Sequence, residues 1–213
     1  MRSFASDNNS GVHPLVMEAL NRANIDHSLG YGDDKWTEEA VAKIKETFTP
    51  NCVPLFVFNG TGSNVVALQL MTRPYHSIFC AETAHIYVDE CGSPVKMTGC
   101  QIRPIATPDG KLTPELMQPY LHGFGDQHHS QPRALYISQC TELGTIYTPE
   151  ELKRLTDFAH LNGMYVHMDG ARIANACAAL NLSLKELTVN CGVDILSFGG
   201  TKNGLMMGEC VIV

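Results

Sequence analysis

The sequence of 213 residues lacks the features that mark several common classes of protein. No run approaches the ~20 apolar residues that cross a bilayer, and residues 1–7 lack the apolar segment of a secretory signal peptide. No run of like charge stands out, and the formal net charge is −7. An acidic chain without a basic stripe offers no surface for phosphate backbones or anionic membranes. We therefore expect neither a membrane protein nor a nucleic-acid-binding protein.

The eight cysteines form no Cys-x-x-Cys pair, and their spacing matches no His/Cys metal site. Several lie within apolar runs, such as Cys80 and Cys177. This favours mostly buried thiols over a disulfide framework. We therefore expect a reduced, cytoplasmic enzyme without a bound metal.

Short apolar segments alternate with helical patterns along the chain, without internal repeats or low-complexity segments. The predicted strands are 53–58, 77–81, 102–106, 134–138, 164–168 and 193–198. Helices are predicted over 64–71, from about 113, and after Thr148, where Pro149 and Glu151 complete a capping box and Gly163 follows the end. Apolar strands separated by helices predict an α/β fold with a mostly parallel sheet covered on both faces.

The domain organisation follows from the same pattern. We expect an N-terminal segment, 1–20, and one large domain, 21–213. Residues 209–213 form an apolar, strand-like run with no polar tail, so we expect a C-terminal portion to be absent from this chain. A chain that really ended at Val213 would be expected to fold weakly and to have negligible activity.

Ligands of parallel sheets gather at the carboxyl ends of strands, and three motifs fall there. Residues 197–204 read Ser-Phe-Gly-Gly-Thr-Lys-Asn-Gly, which places Lys202 among small residues after a strand. Partial desolvation of a lysine favours its neutral, nucleophilic amine. The motif is not a Walker A loop, because Thr201 precedes the lysine and Asn203 follows it. By itself it also fits an exposed loop lysine.

The second motif, Val-His-Met-Asp-Gly-Ala-Arg at 166–172, ends a strand with Asp169. A carboxylate in that position suits a pyridinium nitrogen, which it would keep protonated. Arg172 could bind a carboxylate through two hydrogen bonds. Alone, the motif equally fits a helix-capping Asp and a surface Arg.

The third motif, Asn-Gly-Thr-Gly-Ser-Asn at 59–64, lies between a strand and a helix. Its amides, hydroxyls and helix N-terminus form a phosphate cradle. Val65 occupies the last glycine position of a dinucleotide fingerprint, which argues against a Rossmann-type dehydrogenase. Together the three motifs describe a site for pyridoxal 5'-phosphate.

With these motifs, the chain resembles the low-specificity threonine aldolases of the aspartate-aminotransferase-like class. The resemblance also covers Ser-Asp-Asn at 6–8, Tyr-Gly-Asp-Asp at 31–34 and Ala-His-Ile at 84–86, in the family's order. It implies the large domain of a pyridoxal-phosphate enzyme. It also implies an L-β-hydroxy-α-amino acid substrate that is cleaved to glycine and an aldehyde, and a homo-oligomer, a dimer of dimers with shared active sites.

The resemblance implies a role for each matching residue. Lys202 would bind the cofactor covalently, Asp169 would hold its ring nitrogen, and His85 would stack on the ring. Its phosphate would lie in the turn of Gly60, Thr61 and Ser63; Ser6 and Arg172 would hold the substrate carboxylate, and Tyr31 would reach a neighbouring subunit's site. The base that takes the β-hydroxyl proton is expected to be His85, His128 or His129.

Two departures from the family pattern leave questions open. Residues 138–142 read Ser-Gln-Cys-Thr-Glu in place of the commoner Glu-Asn-Thr-His, so the cofactor contacts of this segment are not predicted. The small C-terminal domain, with its further carboxylate-binding arginine, is not in the sequence. Alternative functions are a related pyridoxal-phosphate lyase or racemase, and a non-catalytic oligomeric protein of the same fold.

Overall fold

The structure, a computed structural model, describes residues 3–213. Its α-helices are α1 (Pro14–Ala23), α2 (Lys35–Thr47), α3 (Gly60–Met71), α4 (His85–Val88), α5 (Ser93–Thr98), α6 (Pro114–Met117), α7 (Pro149–Leu161), α8 (Ile173–Leu180) and α9 (Leu184–Leu187). Its strands are β1 (Pro54–Val57), β2 (His76–Ala81), β3 (Gln101–Ile105), β4 (Gln131–Ser138), β5 (Tyr165–Gly170), β6 (Ile195–Gly199) and β7 (Glu209–Ile212). Single 3₁₀ turns lie at Asp7–Asn9, Gln118–Tyr120, Val189–Cys191 and Thr201–Asn203.

The strands form one sheet in the order β1-β7-β6-β5-β4-β2-β3. The strands from β3 to β6 in this order are parallel, and β7 runs antiparallel to both β1 and β6. The predicted α/β fold with a mostly parallel sheet is confirmed. The reversal at β7 has a simple cause: segment 200–208 is shorter than the dozen or so residues that a parallel crossover needs.

Both faces of the sheet are buried, as the apolar strands predicted. On β2, Ile78 packs into the cluster that contains Leu68 of α3, whereas its neighbour Phe79 packs into the cluster that contains Leu152 of α7. Because successive side chains of a strand point to opposite faces, each strand contributes apolar residues to the core on both sides of the sheet. Helix α7 begins with the predicted capping box of Thr148 and Glu151.

The N-terminal part of the chain lies largely outside these clusters. Helix α1 buries none of its residues, and the predicted boundary at residue 20 falls inside it. A backbone hydrogen bond of 3.0 Å from His13 N to Gly204 O joins this part to the segment after Lys202. Its exposed apolar side chains include Leu15, Leu20, Ile25, Leu29 and Tyr31.

Five of the eight cysteines are buried, and all eight are free thiols. Burial raises the pKa of Cys80 to about 12, so this thiol stays protonated. Within residues 3–213, no helix combines the length and the apolar character that crossing a membrane requires.

Candidate active site

A cavity of about 240 Å³ opens at the carboxyl ends of β4, β5 and β6. Six of the eleven predicted site residues line it: Gly60, Thr61, His85, Asp169, Arg172 and Lys202. They come from separate segments of the chain, which the strand order brings together at the carboxyl ends of the central strands. The other five are Ser6, Tyr31, Ser63, His128 and His129, and they lie beside or away from this cavity.

Lys202 is half-buried in the turn that follows β6, and tight packing fixes that turn. A Cβ on Gly199 would lie 2.6 Å from Ala171 Cα, and one on Gly200 would lie 2.5 Å from the carbonyl oxygen of Gly208. Only glycine allows these backbones to approach so closely. The Gly200 amide also donates to Glu209 Oε2 at 2.7 Å. Close packing at Gly199 and Gly200, together with the hydrogen bond to Glu209, therefore fixes the backbone of the turn that carries Lys202.

Asp169 lies at the end of β5 with its carboxylate buried. Burial opposes its ionisation, but donors on three sides outweigh this cost. Tyr136 OH donates to Oδ2 at 2.7 Å, Asn64 Nδ2 donates to Oδ2 at 3.0 Å, and the Ala171 amide donates to Oδ1 at 2.9 Å. Together they hold the pKa of Asp169 below its ordinary value. The pocket thus contains a buried, negatively charged carboxylate.

His85 begins the short helix α4 and shares a carboxylate with Asn64. Its Nδ1 lies 2.9 Å from Glu90 Oε1, and Asn64 Nδ2 donates to that same oxygen at 2.8 Å. The hydrogen bond to Glu90 raises the pKa of His85 against the opposing effect of burial, and the charge of Asp169 adds to the increase. One amide therefore connects the carboxylate at His85 with the carboxylate at the end of β5.

The N-terminus of α3 forms the predicted glycine-rich turn. Asn59 Oδ1 accepts from the Gly62 amide at 2.8 Å, which leaves the amides of Gly60 and Thr61 without a partner among residues 3–213. Apart from its chain neighbours and the backbone of α3, no atom lies within 4 Å of a Cβ built on Gly60, and Gly60 lines the cavity. Two free amides at a helix N-terminus suit an anion.

Ser63 lies beneath this turn rather than on the cavity wall, and it is fully buried. Its Oγ donates to Ser197 Oγ at 2.8 Å, and Ser197 Oγ lies 2.9 Å from His167 Nε2. Burial lowers the pKa of His167 to about 4, so its imidazole is neutral at physiological pH. The chain of hydrogen bonds ties α3 to β5 and β6 through the second layer around the pocket.

Arg172 follows β5, and its guanidinium is already paired. Nε donates to Asp7 Oδ2 at 2.6 Å, and the second nitrogen donates to Asp7 Oδ1 at 3.0 Å. Arginine thereby holds the pKa of Asp7 below its ordinary value despite the partial burial of the carboxyl. Ser6 caps the same turn by accepting from the Asn8 amide at 3.2 Å, and Asn8 lines the cavity. The turn at Asp7–Asn9 therefore lies against the pocket, and its Asp7 carboxylate pairs with the guanidinium group of Arg172.

Three of the predicted site residues lie away from the pocket of their own chain. Tyr31 is fully exposed, with a left-handed backbone at φ 65°. His128 and His129 lie in the loop before β4, and the eight residues of β4 separate them by about 25 Å from the pocket edge at Ser138. Only His85 of the three candidate bases lines the pocket. Roles for the other two would need the site of another subunit and stay predictions.

The segment that departs from the family pattern does contribute to the pocket. Glu142 Oε1 accepts from Ser138 Oγ at 2.6 Å and from the backbone amide of His85 at 2.9 Å. Cys140 also lines the cavity. This segment therefore holds the backbone of His85, whereas Glu90 contacts its ring.

Sequence reasoning missed three polar residues that hold the site: Asn64, Glu90 and Tyr136. Tyr136 carries a signal, because a tyrosine in an apolar central strand needs a buried hydrogen-bond partner. Glu90 carries none in the sequence, since it follows an exposed aspartate in a short polar loop.

Comparison with known proteins gives concordant results. A family profile described as "Beta-eliminating lyase" matches residues 3–213. The chain is 43% identical over 212 residues to a low specificity L-threonine aldolase of Pseudomonas aeruginosa, covering 99% of this chain and 61% of that protein. A further such enzyme of a Pseudomonas species is 42% identical over the same length. The chain thus spans about three fifths of the length of these curated relatives.

A solved structure of a threonine aldolase from Leishmania major superposes with a TM-score of 0.93 at 32% identity, covering all of this chain and 62% of that one. The similarity extends over the whole of the sheet and the pocket described above.

Proposed function

The chain belongs to the beta-eliminating lyase family, and we propose that its protein cleaves L-threonine, L-allo-threonine and related β-hydroxy-α-amino acids. The products would be glycine and an aldehyde, and the cofactor would be pyridoxal 5'-phosphate. The observation that carries this proposal is the single pocket that joins Lys202, Asp169, Arg172, His85 and the amides of the glycine-rich turn.

The residues of the pocket fit the cofactor. Asp169, charged and buried, would hold the ring nitrogen, and the free amides of Gly60 and Thr61 would bind the phosphate, with Ser63 supporting that turn. Lys202 would provide the amine for covalent attachment, and His85 would stack on the ring. When bound, the cofactor would supply an electron sink for the bond that breaks.

The protein's own groups would then carry the remaining tasks. Arg172 would bind the substrate carboxylate, whose geometry matches that of the Asp7 carboxylate now in its fork. His85 would take the β-hydroxyl proton at Nε2, because Nδ1 is engaged by Glu90. Loss of that proton would convert the C–O group to the carbonyl of the departing aldehyde as the Cα–Cβ bond breaks.

A product assay and a covalent trap test the proposal. The full-length purified protein, incubated with L-allo-threonine, should release glycine and acetaldehyde in equal amounts. Borohydride reduction followed by peptide mass spectrometry should locate the reduced cofactor on Lys202. The variant Lys202→Ala should lose both results, whereas Lys185→Ala, which changes an exposed lysine of α9, should keep them. A racemised substrate, or no product with a correctly trapped cofactor, would contradict aldol cleavage.

We also propose that the protein is a cytoplasmic homo-oligomer, a dimer of dimers with shared active sites. Exposed apolar side chains on the N-terminal part of the chain support an interface there, and eight free thiols support a reducing compartment. In this arrangement Tyr31 would reach a neighbouring subunit's pocket. The division into an N-terminal segment, 1–20, and a cofactor-binding domain, 21–213, is part of the same proposal.

A further inference from the structure

Glu90 is a buried carboxyl group in the pocket wall that the proposed mechanism uses only as the partner of His85 Nδ1. Its side chain is completely inaccessible to solvent, and a carboxylate in such a position is costly unless it has partners. Two nitrogen atoms lie within hydrogen-bond distance of the same oxygen, Oε1: His85 Nδ1 at 2.9 Å and Asn64 Nδ2 at 2.8 Å. The other oxygen, Oε2, has no partner among the described residues.

This arrangement determines which ring nitrogen of His85 carries a proton. A carboxylate can only accept, so the atom that faces it at hydrogen-bond distance must be a donor. Nδ1 of His85 therefore carries the proton. In the neutral ring, Nε2 is then the acceptor.

We propose that Glu90 is a positioning residue that holds His85 as the Nδ1–H tautomer and so presents Nε2 as the acceptor for the substrate's β-hydroxyl proton. This inference rests on the proposed function for the identity of that proton. The tautomer itself depends only on the contacts within the protein.

The charges around His85 set the direction of its titration. Glu90 faces the ring from the bend after α4 and Asp169 from β5, and both favour the protonated form, whereas Lys202 disfavours it. Glu142 contacts the backbone amide of His85 rather than its ring. Removing the charge of Glu90 should therefore lower the pKa of His85, since the hydrogen bond to Glu90 is the largest cause of its increase.

Asn64 gives the arrangement a second property. Its amide nitrogen donates to Glu90 Oε1 and to Asp169 Oδ2, while its own Oδ1 has no partner among residues 3–213. Because one amide nitrogen bonds both groups, the conformation of the Asn64 side chain fixes the position of the Glu90 carboxylate relative to the Asp169 carboxylate. The ring-stacking histidine and the ring-nitrogen partner are held as one unit.

The tautomer can be measured without any substitution. ¹⁵N NMR of the full-length protein labelled at histidine should show the neutral His85 ring protonated at Nδ1, with its resonances assigned by their loss in His85→Asn. A neutral ring protonated at Nε2 would overturn the proposal. This result does not depend on which reaction the enzyme catalyses, so it separates a failure of this inference from a failure of the proposed function.

The variant Glu90→Gln tests the role of the charge. The pKa of His85 should fall, the acid limb of the kcat/KM profile with L-allo-threonine should move to lower pH, and kcat should fall about tenfold or more, as expected for a poorly positioned base. The matched control is Glu82→Gln, which makes the same change at an exposed position of the preceding loop. Equal acid limbs in Glu90→Gln and Glu82→Gln would overturn the proposal.

A double substitution distinguishes positioning from general damage to the fold. If Glu90 acts through His85, adding Glu90→Gln to His85→Asn should leave the remaining activity and its pH profile unchanged. An additional loss of the same size as in the single variant would show that Glu90 acts elsewhere and would refute the inference.

Discussion

At the scale of single residues, the pocket is a set of charged groups that are each held by specific donors. Asp169 has three donors, Glu90 has two, and the guanidinium of Arg172 is met by both oxygens of Asp7. Hydrogen bonds to charged groups in a low dielectric are among the strongest in proteins. Removing one donor should therefore measurably change the pKa of the charged group that it holds and the free energy of unfolding of the protein.

Tyr136→Phe removes one donor from Asp169 without changing the packing of the ring. Because the pKa of Asp169 lies below its unfolded value, its ionisation stabilises the fold above the unfolded pKa, and this contribution is lost as the pH falls through the folded pKa. The variant should reduce the free energy of unfolding by about 2 kcal/mol at neutral pH. The difference should shrink in acid, as measured by urea denaturation across pH. Tyr120→Phe, at a half-exposed tyrosine, should have little effect.

Asp7→Asn should leave Arg172 free for the substrate carboxylate. The exposed pair contributes at most about 1 kcal/mol, so KM for L-allo-threonine should fall by up to about fivefold while kcat changes little. Steady-state kinetics measure this, with Asp157→Asn on the exposed face of α7 as the control. A higher KM in Asp7→Asn would mean that Asp7 assists substrate binding rather than competing with it.

The sequence is informative about residues whose chemistry is fixed by a local motif. Asp169 lies at the end of a strand, Arg172 and Lys202 each follow one, and the structure places all three in one pocket. The partners of Tyr136 and Glu90 could not be found this way, because they depend on strand register and on a loop that folds back to α3. Local patterns do not specify such long-range contacts.

At the scale of the elements, the turn between β6 and β7 determines where the lysine lies. Its path passes close to the backbone of Ala171 and of Gly208, and this leaves no room for side chains at residues 199 and 200. The same turn accepts the backbone hydrogen bond from His13, so the N-terminal part of the chain depends on it as well.

Gly200→Ala should therefore displace the turn of Lys202. A Cβ at this position meets the Gly208 carbonyl oxygen and the Leu205 side chain, and overpacking of this kind typically costs about 1–3 kcal/mol. We expect lower cofactor occupancy, measured by absorbance, and a proportionate loss of activity. Gly11→Ala is the matched control, since no atom lies within 4 Å of its Cβ. Full occupancy in Gly200→Ala would show that the turn is more adaptable than its packing indicates.

The sequence predicts the start of a helix correctly where nearby side chains satisfy its free backbone groups. The sequence predicts the start of α7 because Thr148, Pro149 and Glu151 satisfy the helix N-terminus locally. Helix α3 begins at Gly60, four residues before the predicted start at 64, because the glycines of its first turn also fit a loop. The direction of β7 depends on the length of its connection to β6 rather than on its own residues.

At the scale of the whole molecule, the N-terminal part of the chain presents apolar side chains to solvent. Leu29 is 73% exposed and Ile25 is 63% exposed. If this region forms the proposed interface, Leu29→Asp should shift the sedimentation of the protein toward smaller species. Leu161→Asp, at an equally apolar and 87% exposed position at the end of α7, should not. Identical sedimentation of wild type and both variants would place the interface elsewhere.

The antiparallel position of β7 also has a consequence for synthesis. In the sheet described here, β1 has one neighbour, β7, so Val57 waits for Glu209 to leave the ribosome before it can pair. Translation proceeds at about 5–20 residues per second, so the stretch of about 150 residues from β1 to β7 delays the anchoring of the anion-binding turn by about 8–30 s. A nascent chain stalled before β7 should be cleaved readily by protease near residues 54–60, and the vitamin-derived ligand should find the anion-binding turn anchored only after that strand has been made.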